Sequence, residues 1–178
     1  GIKIAPEYGG MGLSQYSYTK AISLVTSNDG SMTALLSAAQ SIGVPVPLKL
    51  FGTDAQKKKY LPRLAKGAIS AFALTERGVG SDPAGVATTA VLSPDGSHYI
   101  LNGEKMWLTN AGFADVYITF AKVDGEQFTA FIIDKDTPGV SLGAEEKKLG
   151  IRGSSTRPLI LTDAKVPREN LLGEIGKG

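Results

Sequence analysis

The feature that most limits what this chain can fold into is a change of texture at residue 68. Beyond it, short runs rich in β-branched and aromatic residues follow one another: "SAFAL", "VATTAVL", "HYILNG", "KMWLTN", "DVYITFAKV", "QFTAFIID" and "RPLILTDA". Between several of them stand turn pairs, Asp95-Gly96, Asn102-Gly103, Asp124-Gly125 and Pro138-Gly139. Many short strands joined by tight turns predict an antiparallel barrel or sandwich. Residues 14–66 read differently. Ala21, Ile22, Leu24 and Val25 sit at helical spacing, and Met32, Leu35, Leu36, Ala38 and Ala39 form a second apolar patch that ends near Gly43. "VPVPL" is expected to interrupt the helices. "TDAQ", residues 53–56, is a capping box, from which a further helix should run to Lys66-Gly67. The expected fold class is α+β: residues 1–67 a partial N-terminal helical domain, residues 68–178 a middle β domain.

Composition removes several chemistries. With 19 basic and 17 acidic residues the net charge is +2, too balanced to suggest a nucleic-acid partner. There is no cysteine, so disulfides, thiolate catalysis and Cys-based metal sites are excluded, and the single histidine, His98, argues against a catalytic triad or a multi-His metal site. No apolar run was found near the roughly 20 residues that a membrane helix needs. No basic-then-apolar leader pattern stands at the N-terminus. The chain opens "GIKIAPEYGGMG" and ends "LLGEIGKG", which reads as a piece of a longer protein.

Two stretches carry candidate chemistry. "LTERGVGSD", residues 74–82, is not a P-loop, because no Gly-Lys-Ser/Thr follows. It is not a dinucleotide fingerprint either, because Pro83 stands where the third glycine should be. It is then either a plain connecting loop or a concavity whose free N–H groups and Ser81 hydroxyl take a phosphate or a ring carbonyl. "KMWLTN", residues 105–110, holds the only tryptophan, with Thr109 two residues on and so on the same side of a strand. Trp107 either fills the core or offers a planar ligand a stacking face beside a hydroxyl. "QKKKY", residues 56–60, reads as the solvated face of a helix, His98 as a hairpin residue, and "EEKKLGIRGSSTR", residues 145–157, as a solvated loop.

Taken together and in order, "PEYGGMGLS", "LFGTDAQKKKYLPRLAKG", "AFALTERGVGSDPAG", "LNGEKMWLTNAGFAD" and "KKLGIRGSSTRPLILTDAKVPRENLLGE" resemble the acyl-CoA dehydrogenase family over nearly the whole chain. "AQSIG" and "EEKKLGIRGSST" lean toward its very-long-chain branch. The resemblance implies a helical domain, a middle β domain and a C-terminal four-helix domain, the last absent from these residues. It implies FAD as cofactor and α,β-dehydrogenation of acyl-CoA to trans-2-enoyl-CoA in fatty-acid β-oxidation, with an electron-transferring flavoprotein as acceptor. It also implies a homo-oligomer, dimer or tetramer, in bacterial cytoplasm or mitochondrial matrix. By the same resemblance Phe72, Ala73, Leu74, Thr75, Gly78, Gly80 and Ser81 line FAD, with Ser81 also approaching the acyl-CoA. Trp107, Leu108 and Thr109 pack on the isoalloxazine. No residue here matches the family's catalytic carboxylate, which lies in the C-terminal domain. Arg77 stands where the family commonly has proline. An oxidase of the same fold, or a family-derived binding protein without catalysis, are the alternatives.

Overall fold

Helix boundaries follow from side chains that satisfy the backbone groups a helix end leaves unpaired. In the computed structural model, which describes residues 1–178 apart from the Ser41 side chain, Ser14 caps α1 (Gln15–Thr26) and Asp29 caps α2 (Gly30–Ser37). A π-helical turn, Ala38–Ile42, follows α2. The Thr53–Gln56 capping box is formed as the sequence predicts and opens α4 (Asp54–Ala65). The helical run breaks at Gly43, which is extended, as expected, but "VPVPL" is not free of helix. It starts α3 (Pro45–Phe51), because a proline in the first turn removes an N–H that has no helical partner there. Gly30–Phe51, broken at Gly43, is a 22-residue largely helical stretch whose length and apolar composition alone would suffice to cross a membrane, a feature the sequence reading missed. Val44 and Leu48 within it are buried against the sheet.

The strands are β1 (Ser70–Ala73), β2 (Thr89–Leu92), β3 (His98–Thr109), β4 (Val116–Val123), β5 (Gln127–Asp134), β6 (Val140–Leu142), β7 (Thr156–Pro167) and β8 (Leu171–Leu172). They form one sheet in the order β6-β7-β3-β2-β4-β5-β8, with β1 beside β4. Most pairs are antiparallel, but β4 takes both β1 and β2 in parallel along one edge. Asp124 and Gly125 both have positive φ, as the tight turn in the three-residue loop between β4 and β5 requires, and the Glu126 N–H closes it on the Val123 carbonyl. Asn102-Gly103 is not a turn. It lies within β3, opposite an extra residue in β7, where the Asn102 side chain exchanges hydrogen bonds with the Asp163 N–H (2.8 Å) and carboxylate (3.0 Å).

Alternation along the central strands builds two cores. Tyr117, Ala121 and Val123 of β4, with Phe131 and Ile133 of β5, face an inner core shared with Leu101, Leu108 and Leu159. Val116 and Ile118, with Ala130 and Ile132, face the helices and meet Val44, Leu48, Tyr60 and Leu64. Both faces of β4 and β5 are therefore covered, which explains their nearly unbroken apolar sequences. "QKKKY" is solvated only in its middle. Gln56 and Tyr60, one helical turn apart, are buried: Gln56 donates to the Glu169 and Leu171 carbonyls, and the Tyr60 hydroxyl to Asp134 and Asn170. These bonds fix α4 to the sheet.

Candidate functional site

Beyond β1 the chain turns sharply. The Glu76 N–H donates to the Val79 carbonyl (3.2 Å) and the Val79 N–H donates back (3.0 Å), which puts Arg77 and Gly78 at the corner. Val79 is buried and pins the turn. A Cβ on Gly78 or Gly80 would meet nothing within 4 Å, so both glycines border open space. The N–H groups of Gly78, Gly80 and Ser81 donate to no acceptor among the described residues. Asp82 then caps a short turn at Pro83–Gly85.

The second stretch is a bulge. Lys105 pairs with Leu159 but Leu108 pairs with Arg157, so β3 carries one residue more than β7 across this step. Trp107 absorbs it at φ +58°. A bulky L-residue in the left-handed region costs on the order of 1–3 kcal/mol. Trp107 does not fill the core: its side chain is 56% exposed. Leu108 is buried and Thr109 is partly exposed. Asn110, also left-handed at φ +71°, ends the strand and donates to the Leu35 carbonyl (2.9 Å), tying the bulge to α2.

The two stretches are physically joined. The Met106 N–H donates to the Thr75 carbonyl at 2.8 Å. The Lys105 ammonium, fully buried, lies 2.6 Å from the Glu76 carboxylate. Glu76 also accepts from the Ala87 N–H (2.6 Å), the Thr88 N–H (3.2 Å) and the Thr88 hydroxyl (2.5 Å). Burial alone would raise the Glu76 carboxyl. The hydrogen bonds from Lys105, Thr88 and Ala87, with the Lys105 charge, outweigh it and hold the group below the ordinary carboxylate range. A carboxylate held charged on every side by donors is a strut rather than a proton acceptor. Glu76 and Lys105 are 29 residues apart, and no periodicity links them, so sequence reasoning did not pair them.

The residues expected to line a ligand divide by role. The Phe72 ring packs on Phe120 with centroids 5.2 Å apart, and Ala73 and Leu108 lie in the inner core, so these side chains build the wall behind the site. The Leu74 carbonyl faces the Lys105 ammonium at 3.5 Å. Thr75, Ser81 and Thr109 have hydroxyls without a hydrogen-bond partner among the described residues, on the same two joined stretches as the exposed indole of Trp107 and the free N–H groups of Gly78, Gly80 and Ser81. An exposed aromatic face bordered by unpaired donors suits a planar heteroaromatic ligand with ring carbonyls and nitrogens. The segment at 145–157 is not wholly a solvated loop: its end, Thr156 and Arg157, belongs to β7 and pairs with Thr109 and Leu108. Glu145 pairs with Arg157 at 2.8 Å, the Lys148 ammonium bonds the Ser154 carbonyl and the Thr156 hydroxyl, and Leu149 is fully exposed.

Residues 1–68 match the model of the acyl-CoA dehydrogenase N-terminal domain, and residues 71–164 that of the acyl-CoA dehydrogenase middle domain. A probable acyl-CoA dehydrogenase of Bacillus subtilis is 56% identical over 179 residues, covering all of this chain and 30% of that protein. The very long-chain specific acyl-CoA dehydrogenase of rat mitochondria is 44% identical, covering all of this chain and 28% of that protein. Among solved structures, an acyl-CoA dehydrogenase of Bacillus anthracis complexed with FAD superposes with a TM-score of 0.95 at 54% identity, covering 99% of this chain and 31% of that one. The chain thus spans under a third of the length of these relatives, and its two matched segments meet where the helices give way to the sheet. With the site residues of "LTERGVGSD" and "WLT" joined in one place, the fold and the matches agree that this chain belongs to the acyl-CoA dehydrogenase family.

Proposed function

We propose that this chain carries the FAD cradle of an acyl-CoA dehydrogenase that converts acyl-CoA thioesters to trans-2-enoyl-CoA in fatty-acid β-oxidation. The observation that carries the reading is the junction of residues 74–82 with 105–109. There the stretch bearing the exposed Trp107 is bound to the stretch bearing the free hydroxyls and N–H groups by the Met106–Thr75 and Lys105–Glu76 bonds. The FAD-complexed relative at 54% identity supports the choice of ligand.

FAD, when bound, supplies the acceptor for the substrate's β-hydride. The chain's own residues supply placement. Trp107 offers the stacking face. The hydroxyls of Thr75 and Thr109 and the N–H groups of Gly78, Gly80 and Ser81 offer hydrogen bonds to ring heteroatoms, and Ser81 also faces the acyl-CoA. Ala73 and Leu108 close the site from behind and exclude water, which strengthens each of those bonds. By the family resemblance the carboxylate that removes the α-proton lies outside these residues, and Glu76, fully engaged with Lys105, Thr88 and Ala87, does not take that role. Residues 1–67 form the helical domain and 68–178 the middle β domain of an oligomeric enzyme that passes electrons to an electron-transferring flavoprotein. Its compartment is the cytoplasm in a bacterium or the mitochondrial matrix in a eukaryote.

The test is an anaerobic visible spectrum of the protein that carries this chain, before and after addition of a long-chain acyl-CoA. Bleaching of a bound flavin band is the expected result. A flavin band indifferent to every acyl-CoA would overturn the reaction, and the absence of any flavin band would overturn the cofactor.

A further inference from the structure

We propose that Glu76 and Lys105 are positioning residues for the flavin cradle: their buried ion pair sets the distance between the loop bearing Thr75, Gly78 and Gly80 and the bulge bearing Trp107. The proposal rests on the functional reading above. Three observations carry it. First, the pair joins the two stretches at the residues next to the free donors: Glu76 follows Thr75, and Lys105 stands two residues before Trp107. Second, neither charge is solvated, with side-chain exposures of 0% for Lys105 and 7% for Glu76. A buried pair is weak evidence for net stability, because desolvation offsets the attraction, but its geometry is strongly specified since neither partner tolerates loss of the other. Third, Glu76 is also held by Ala87 on Oε2 and by Thr88 on Oε1, the oxygen Lys105 takes, and both residues lead into β2. The ammonium is therefore pulled against a carboxylate that the sheet has already fixed, and the cradle inherits that rigidity.

The experiment compares Glu76→Gln, Lys105→Met and the double variant in the complete protein that carries this chain. Three quantities are read: the FAD dissociation constant, the melting temperature, and the hydrogen-exchange rate of the Met106 amide, which donates to Thr75. Each single variant should bind FAD about 10-fold or more weakly and melt lower, because one charge is left buried and unpaired. The double variant buries no lone charge and should regain most of the lost melting temperature. Its FAD affinity should stay weak and its Met106 amide should exchange fast, because the tether is gone. Recovery of FAD affinity in step with stability would reduce the pair to a structural role and overturn the proposal, as would a Glu76→Gln protein that binds FAD like wild type. If the single variants do not fold, the double variant still decides. A wild-type protein without flavin would instead overturn the functional reading, and Met106 exchange alone would then judge the strut.

Discussion

Gly103→Ala is a severe test of how the sheet supports the site. Gly103 sits in β3 at φ +155°, where L-residues are rare. A Cβ there would lie 2.8 Å from the Thr88 Cβ and 2.9 Å from its Cα, and closer still to its hydroxyl oxygen. Carbon atoms in contact prefer about 3.5–4.0 Å, so the backbones of β3 and the start of β2 must part. The backbone strain is worth roughly 1–3 kcal/mol and the overpacking about 1–3 kcal/mol. Their sum, about 2–6 kcal/mol, lowers the melting temperature by on the order of 10 °C for a chain of this size. Gly125→Ala is the control. It shares a positive φ, +79°, but its Cβ meets nothing within 4 Å, so it carries the strain alone, about 1–2 kcal/mol. Thermal and urea unfolding of both variants, with Thr88→Ala and the Gly103→Ala/Thr88→Ala pair, separate the two contributions. The collision predicts that removing the Thr88 hydroxyl recovers part of the Gly103→Ala loss. It also predicts that FAD retention falls with Gly103→Ala, since Thr88 holds Glu76 at 2.5 Å. Equal losses at Gly103 and Gly125, or strict additivity with Thr88→Ala, would refute the reasoning.

Trp107→Ala should weaken FAD binding by roughly 2- to 10-fold, the worth of one aromatic stack; unchanged flavin content in the purified variant would remove the stacking role. Trp107→Gly should weaken FAD binding alike yet raise the melting temperature of the flavin-free protein, because glycine accepts φ +58° without strain. Arg77→Pro should stabilise by about 0.4–1 kcal/mol, since Arg77 stands at a turn corner between an extended Glu76 and Gly78 and its N–H has no partner among the described residues; a lower melting temperature would show that proline does not suit this corner. Asp95 accepts from the Ser93 hydroxyl and from the Ser97 N–H and hydroxyl, which lower its carboxyl from the ordinary 3.8 to about 2. A depressed folded value means that its contribution is complete above a pH of about 4 and is lost as the pH falls toward 2. Asp95→Asn should flatten that part of the acid-unfolding curve, and an unchanged curve would show that the turn does not depend on the charge.

Much of the fold was legible because its causes are local. The Thr53 cap needs only residues 53–56, and the Asp124-Gly125 turn only two positive φ values. The misreadings came where one local signal serves two structures. Asn102-Gly103 has the composition of a hairpin turn, but the same Asn side chain can satisfy a bulge on a neighbouring strand, and only the distant Asp163 decides between them. "VPVPL" forbids a helix interior and favours a helix start equally. The strands β6 and β8 are too short to show a period, with three and two residues, and the parallel pairing of β1 and β2 with β4 leaves no trace in spacing. At the site, the glycines and Trp107 stood out by composition, whereas nothing in the spacing paired Glu76 with Lys105 before the fold buried them together.

The irregularities of the sheet also explain where its chemistry sits. Along β3 the odd-numbered residues Tyr99, Leu101 and Lys105 point inward. Continued without a break, that alternation would bury Trp107 and expose Leu108. The extra residue reverses the parity, so that Trp107 faces out and Leu108 faces in, while Gly103 to Lys105 keep their register with β7. The reversal confines the strain to one residue. It also explains why the buried charge belongs at Lys105, the last inward position before the parity changes and the one nearest the end of β1. β4 and β5, regular and covered on both faces, have no exposed ring along their centres, and the unpartnered hydroxyl there, Thr119, is buried out of a ligand's reach. The surface that offers free donors is made where the sheet's regularity fails, and the failure at residues 105–110 is anchored on both sides, by Glu76 of the loop and by the Leu35 carbonyl of α2 through Asn110.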